Sequence, residues 1–148
     1  MPECLEATFD KFTFRVATDR LYSPEGVWVQ VQADGRVRIG VTDFLQQHSG
    51  DVAFVSVKAP GTKVAVGDEF AEMETIKMNQ SLTTPVAGAV AEVNPALEPS
   101  PEIVNQDPYG QGWLTLIEPA SWATEKAKLL DAQAYFTMMR SQVEQERQ

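Results

Sequence analysis

Apolar residues fall at every second position over most of the first 120 residues, which is the period of strands with one face buried. Residues 11–17, KFTFRVA, place Phe12, Phe14 and Val16 on one face, and residues 27–32, VWVQVQ, do the same with Val27, Val29 and Val31. Ala33-Asp34-Gly35 supplies a tight turn into residues 36–41, RVRIGV, so these two runs read as a hairpin. Thr42 is placed to cap a short helix over residues 43–48 that stops at Ser49-Gly50. Residues 51–58, DVAFVSVK, resume the alternation with Val52, Phe54 or Val55, and Val57, and end at the turn Ala59-Pro60-Gly61.

The next two runs, residues 69–75 and 80–84, are joined by Ile76-Lys77-Met78-Asn79, and that spacing predicts a hairpin with Lys77 at its tip. A lysine there cannot pack inward, because its ammonium is strongly hydrated and sits on four methylenes of reach. It is expected to stand out alone. The apolar Ile76 and Met78 beside it leave hydrophobic surface at the apex, which marks a place where something docks. Beyond Pro85 and Gly88, residues 89–93 form another strand ending at Asn94-Pro95, so the two flanks of Lys77 look alike. The expectation is a mainly β fold of two similar sheet halves, a flattened barrel or sandwich.

Pro99, Pro101, Pro108, Gly110 and Gly112 exclude regular structure from residues 99–112, and residues 113–117, WLTLI, are the last strand. After Pro119-Ala120 the period changes to that of helices. Leu129, Ala132, Phe136, Met139 and Val143 form a stripe, with Ser121 as a candidate N-cap and Asp131 as the cap of a second helix. The stripe is expected to pack on the strands. The reading is one β domain over residues 1–120, with an N-terminal extension, and a helical segment over 121–148 packed on it.

Composition narrows the function classes. With 148 residues, 43% of them hydrophobic, the chain supports one core of ordinary size. Twelve basic against 21 acidic side chains give a net charge of −9, which disfavours nucleic acid and anionic membranes as partners. No run is long enough to span a bilayer and the start, MPECLEATFD, is acidic, so a cytoplasmic location is expected. Cys4 is the one cysteine and reads as part of a loose tail, so neither a disulfide nor a Cys-based metal site forms within the chain. His48, the one histidine, has no partner at ligand spacing and reads as a surface side chain. Nucleophile, phosphate-loop and zinc-protease motifs are missing, and Glu72 and Glu74, which share a strand face, read as a solvated acidic edge. The chain is not expected to be an enzyme.

ETIKM with Lys77 fourth, TTPVAGAVAEVNPAL after it and then PEIVNQDPYGQGWL together resemble the H protein of the glycine cleavage system and the H-like lipoate-binding proteins. VRIGVTDFLQQHSGDVAFV upstream and KLLDAQAY downstream extend the resemblance over residues 27–136. It implies a barrel-sandwich hybrid of the lipoyl/biotinyl kind, with a lysine-bearing hairpin, a short internal helix and C-terminal helices. It also implies that Lys77 carries lipoic acid in amide linkage, and that a lipoate ligase or lipoyl transferase reads Glu74 and Gly88. Gly88 has an equal reading as a backbone position closed to other residues. Ile76 and Met78 then offer the ring an apolar seat, while Asn94, Asn105, Tyr109 and Trp113 hold turns and close one end of the fold.

Two departures bear on the pathway. H proteins read His-Glu-Trp-Val where this chain has Gly26-Val27-Trp28-Val29, and ESVKA where it has ETIKM. Thr and Ile before the lysine resemble the lipoate-binding proteins of sulfur-oxidising pathways. The favoured reading is therefore an arm that brings sulfur intermediates to a heterodisulfide-reductase-like complex. The alternative is the H protein of glycine cleavage, carrying an aminomethyl group among the P, T and L proteins. Ile76-Lys77-Met78 also resembles the Met-Lys-Met of biotin carriers, and an interaction domain without cofactor is a further reading.

Overall fold

The computed structural model describes residues 2–146. Where the sequence alternates, strands form, and in chain order these are β1 (Cys4–Phe9), β2 (Phe12–Ala17), β3 (Leu21–Tyr22), β4 (Val27–Val31) and β5 (Val37–Val41). Helix α1 (Asp43–Ser49) follows, then β6 (Val52–Val57), β7 (Lys63–Val64), β8 (Glu69–Thr75), β9 (Asn79–Thr83) and β10 (Gly88–Val93). The chain continues through α2 (Ile103–Gln106), β11 (Thr115–Pro119), α3 (Trp122–Lys126) and α4 (Ala132–Glu146).

Among the described residues the strands form a two-stranded sheet β1-β2, a six-stranded sheet β3-β4-β5-β11-β10-β7 and a three-stranded sheet β6-β8-β9. The fold is mainly β and its sheets do not close into a barrel. The expected likeness of the two halves about Lys77 does not extend to their size: the later half joins β5 through β11, while the hairpin recruits β6 alone.

The larger core draws from both of these sheets, with Ile39, Phe70, Met73, Leu82 and Ile117 nearly inaccessible to solvent. A second core gathers Phe14, Val16, Tyr22 and Trp28 around Tyr135, Phe136, Met139 and Val143 of α4. The ring of Tyr135 stacks on that of Tyr22 at 4.7 Å between centroids. β4 is the wall between the cores. Val27 and Val29 point into the first and Trp28 into the second, so alternation predicts only one of its two buried faces. Truncating a buried side chain as large as Trp28 typically costs about 3–5 kcal/mol, and its Nε1 also donates to Pro108 O at 2.9 Å.

Three sequence expectations need correction. Cys4 does not lie in a loose tail, since it opens β1 and faces Ala17 across the β1-β2 hairpin. Residues 99–112 hold one helical turn, α2, because Pro99 and Pro101 precede it, where a missing N–H removes no helical bond. Ser121 makes no side-chain capping bond to α3, whereas Asp131 Oδ1 accepts the Ala134 N–H at 2.8 Å and caps the start of α4.

Candidate functional site

Lys77 sits at the tip of the β8-β9 hairpin, and the tip is held from its base. The Thr75 N–H donates to Met78 O at 2.8 Å. The Thr75 hydroxyl accepts from the Lys77 and Met78 N–H groups at 3.2 and 3.0 Å, and donates to Ser49 O at 2.7 Å. One β-branched hydroxyl thus satisfies the turn and ties it to the end of α1. The Ile76 N–H reaches Asp51 O at 3.3 Å, adding a second tie.

The corner under the tip is itself pinned. Thr42 caps α1, its hydroxyl accepting from the Leu45 N–H at 3.1 Å and lying 3.1 Å from the Tyr135 hydroxyl on α4. At the other end Gly50 donates to Gln46 O, with φ at +93°, a backbone state suited to glycine. Asn105 closes the corner. Its Nδ2 donates to Gln46 Oε1 and Gly50 O at 2.9 and 3.1 Å, and its Oδ1 accepts the Val52 N–H at 2.8 Å.

Lys77 is exposed, flanked by Ile76 at 79% and Met78 at 36% exposure, and among the described residues it forms no ion pair. It does not stand alone as the sequence suggests. Its stem crosses Gly50, where a Cβ would come within 3.2 Å of Lys77 Cδ, and Nζ donates to His48 O at 3.4 Å. A cation at a helix C-terminus gains about 0.3–1 kcal/mol. That is too little to sequester the amine, so it remains available for chemistry.

His48 also lines a cleft of about 190 Å³, together with Pro24, Glu25, Gly26, Phe44, Leu45, Gln80, Tyr135 and Gln142. His48 is exposed as expected, yet it is part of the site. Its ring tilts against Phe44 at 5.7 Å, its Nε2 lies 3.4 Å from Glu146 Oε1, and its carbonyl holds the Lys77 ammonium.

Glu74 is exposed on β8 and faces Asn79 across the hairpin. Gly88 lies in the other sheet, opposite Pro119 and Val64, where a Cβ would sit 2.1 Å from Glu118 O. The structure therefore does not bring Glu74 and Gly88 together in one sheet. Asn94 and Tyr109 bind backbone: Asn94 Nδ2 donates to Gln111 O and Trp113 O at 2.8 Å each, and the Tyr109 hydroxyl donates to Arg15 O at 2.6 Å. Thr75, Gly50 and the imidazole of His48 escape sequence reasoning. Only Thr75 carried a local signal, a hydroxyl at the first position of a turn.

A family profile described as Glycine cleavage H-protein matches residues 20–142. The probable glycine cleavage system H protein of Thermococcus kodakarensis is 39% identical over 128 residues, covering 86% of this chain and 95% of that one. The glycine cleavage system H protein of Oceanobacillus iheyensis is 44% identical over 117 residues, covering 79% and 91%. The crystal structure of a glycine cleavage system H protein from Mycobacterium marinum superimposes with a TM-score of 0.72 at 31% identity, covering 81% of this chain and 95% of that one.

Proposed function

The chain belongs to the glycine cleavage H-protein family, and from that premise we propose that it is a non-catalytic lipoyl carrier serving glycine cleavage. Lys77 bears lipoic acid in amide linkage, attached by a lipoate ligase or lipoyl transferase, and meets the P, T and L proteins in turn. The observation that carries this is the lysine itself: an exposed amine, without an ion pair among the described residues, on a turn braced to a helix end by Thr75, Gly50 and Asn105.

The surrounding residues fit such a group. Gly50 leaves room for the stem, Ile76 and Met78 provide apolar surface, and His48, whose carbonyl accepts from the ammonium, also lines a cleft. When bound, the lipoyl group supplies a cyclic disulfide open to thiol–disulfide exchange. Amidation also removes the lysine charge, so the hold of the end of α1 on Nζ falls from a charge-assisted contact to that of a neutral N–H. Tethering then raises the effective concentration of the carried group at each partner. Glu74 is exposed on β8 and suits contact with the attaching enzyme, while Gly88 serves it indirectly by keeping β10 in register.

The pathway reading changes from the one the sequence favours. That preference leaned on glycine in place of histidine at position 26, but Gly26 and His48 line one cleft, so α1 supplies an imidazole there. The relatives named above support glycine cleavage as well. One observation still favours a sulfur carrier for a heterodisulfide-reductase-like complex: Thr75-Ile76-Lys77-Met78 in place of Ser-Val-Lys-Ala. Reconstitution decides between them. The lipoylated chain, mixed with P, T and L proteins, glycine, tetrahydrofolate and NAD, is expected to support glycine decarboxylation, and failure of a fully lipoylated sample would overturn that pathway.

A further inference from the structure

Strand β6 ends its sheet, and only β8 pairs with it. The Lys58 N–H donates to Phe70 O at 2.9 Å, and the register runs back from there through Val57↔Ala71, Ser56↔Glu72 and Val55↔Met73. Hydrogen-bonded pairs alternate along an antiparallel ladder, so the N–H and C=O groups of Val55 and Val57 point away from β8. Their side chains pack against the larger core. Among the described residues no other part of the chain bonds these backbone groups. A free edge of this kind is a template for one more strand.

Beside that edge lies a groove of about 500 Å³. Residues 53–57 all line it, whereas a strand face would contribute only alternate residues, so the groove runs along the edge. Its far wall is Val93, Pro95, Leu97 and Pro101. The chain closes both ends: the Gly61 N–H donates to Val90 O at 2.8 Å beyond the end of β6, and Asn105 Oδ1 accepts the Val52 N–H at 2.8 Å at its start. The edge between those ties is about 17 Å long. These bounds choose the occupant. A strand from a second copy of the chain brings a neighbour on its far side, and the wall at residues 93–97 stands in that place. A single extended segment has no such neighbour. Its backbone meets Val55 and Val57, and its alternate side chains meet the apolar wall. Among the described residues that line the groove Glu98 alone is charged, and it is exposed without an ion pair, so it favours lysine or arginine in the segment.

We propose that this groove binds a short extended peptide segment of a partner protein, apolar at alternate positions and carrying a lysine or arginine, as an added strand on β6. Lys77 stays uncovered, because Val52 faces Thr75 at the base of the tip and the groove begins beyond it at Ala53. A segment held there tethers its protein beside the arm and raises the effective concentration of each for the other. The tether rests on the lipoyl-carrier reading, whereas the groove and its peptide do not.

The test is selection of acetylated, amidated peptides about six residues long from a randomised synthetic library on the full chain, followed by nitrogen-15 NMR titration of those selected. The expected result is a consensus of alternating apolar residues with a lysine or arginine, and shifts centred on the Val55 and Val57 amides. Methylating alternate peptide N–H groups, in each of the two phases, is expected to weaken binding about tenfold or more in at least one phase. Val55→Pro removes an N–H that points away from β8 and is expected to weaken binding as much. Should Val55→Pro not fold, the methylated peptides test the same bonds from the other side. Glu98→Gln is expected to weaken binding about threefold and to remove most of its salt dependence, while accepting lipoate as wild type does. No enriched peptide, an acidic consensus, shifts away from β6, or undiminished binding by both methylated forms overturns the proposal. So does a dimer in sedimentation that Val55→Pro dissolves, which gives the edge to a second copy. A wild-type chain that binds the peptides yet accepts no lipoate supports the groove and overturns the carrier reading, and the tether with it.

Discussion

Two glycines show how a single atom decides a position. At Gly50 a Cβ would press on Lys77 Cδ at 3.2 Å and the backbone holds φ +93° with ψ −171°, a region that costs other residues about 1–3 kcal/mol. At Gly88 the obstacle is backbone, with Glu118 O at 2.1 Å, so β10 and β11 must part. Gly50→Ala is expected to lower stability by about 1–3 kcal/mol and Gly88→Ala by about 3 kcal/mol, both measured by denaturant unfolding. A Gly88→Ala chain that unfolds like wild type yet is poorly lipoylated would make Gly88 a recognition residue. Lys77 is legible in the sequence because a charged side chain at a turn apex has nowhere to be buried. The Cβ clash at Gly88 depends on a strand thirty residues later, and the place of His48 on a hairpin beyond β6. No local pattern carries either.

Helix α4 shows the same division at the level of elements. Its apolar stripe and Asp131 cap can be read from the chain, because period and capping are local properties. Its role as a clamp cannot. Tyr135 links α4 to the Thr42 cap of α1, which carries the Gly50 corner under Lys77. Burial, opposed by the hydrogen bond with Thr42, raises the Tyr135 pKa to about 12 from an ordinary 10.0. Burial also pushes Tyr22 and Tyr109 upward. A raised folded-state pKa favours the fold below the unfolded value and loses that contribution as pH rises through the folded one. The melting midpoint is therefore expected to fall as pH rises from 10 toward 12, and Tyr135→Phe to reduce that dependence. A midpoint level across this window would contradict the burial of these phenols. Strand β1 and the turn α2 were not legible: the first has weak alternation and the second hides among prolines.

At the scale of the molecule, three unequal sheets among the described residues, together with α4, hold one short turn in place, and the chain is acidic overall. The mainly β class and the lysine hairpin follow from alternation and turn spacing. The unequal sheets do not, since pairing β11 with β5 joins positions 76 to 80 residues apart, and alternation says nothing about which strands pair. The burial of Trp28 depends likewise on the N-terminal hairpin and α4 arriving from opposite ends of the chain. All of these features hold up the amine whose acylation the proposed carrier role requires. The most direct measurement is the intact mass of the chain after incubation with lipoate ligase, ATP and lipoate. Wild type is expected to gain one lipoyl group and Lys77→Arg, equally well folded, to gain none. An unmodified wild type, or a lipoylated Lys77→Arg, would contradict the account.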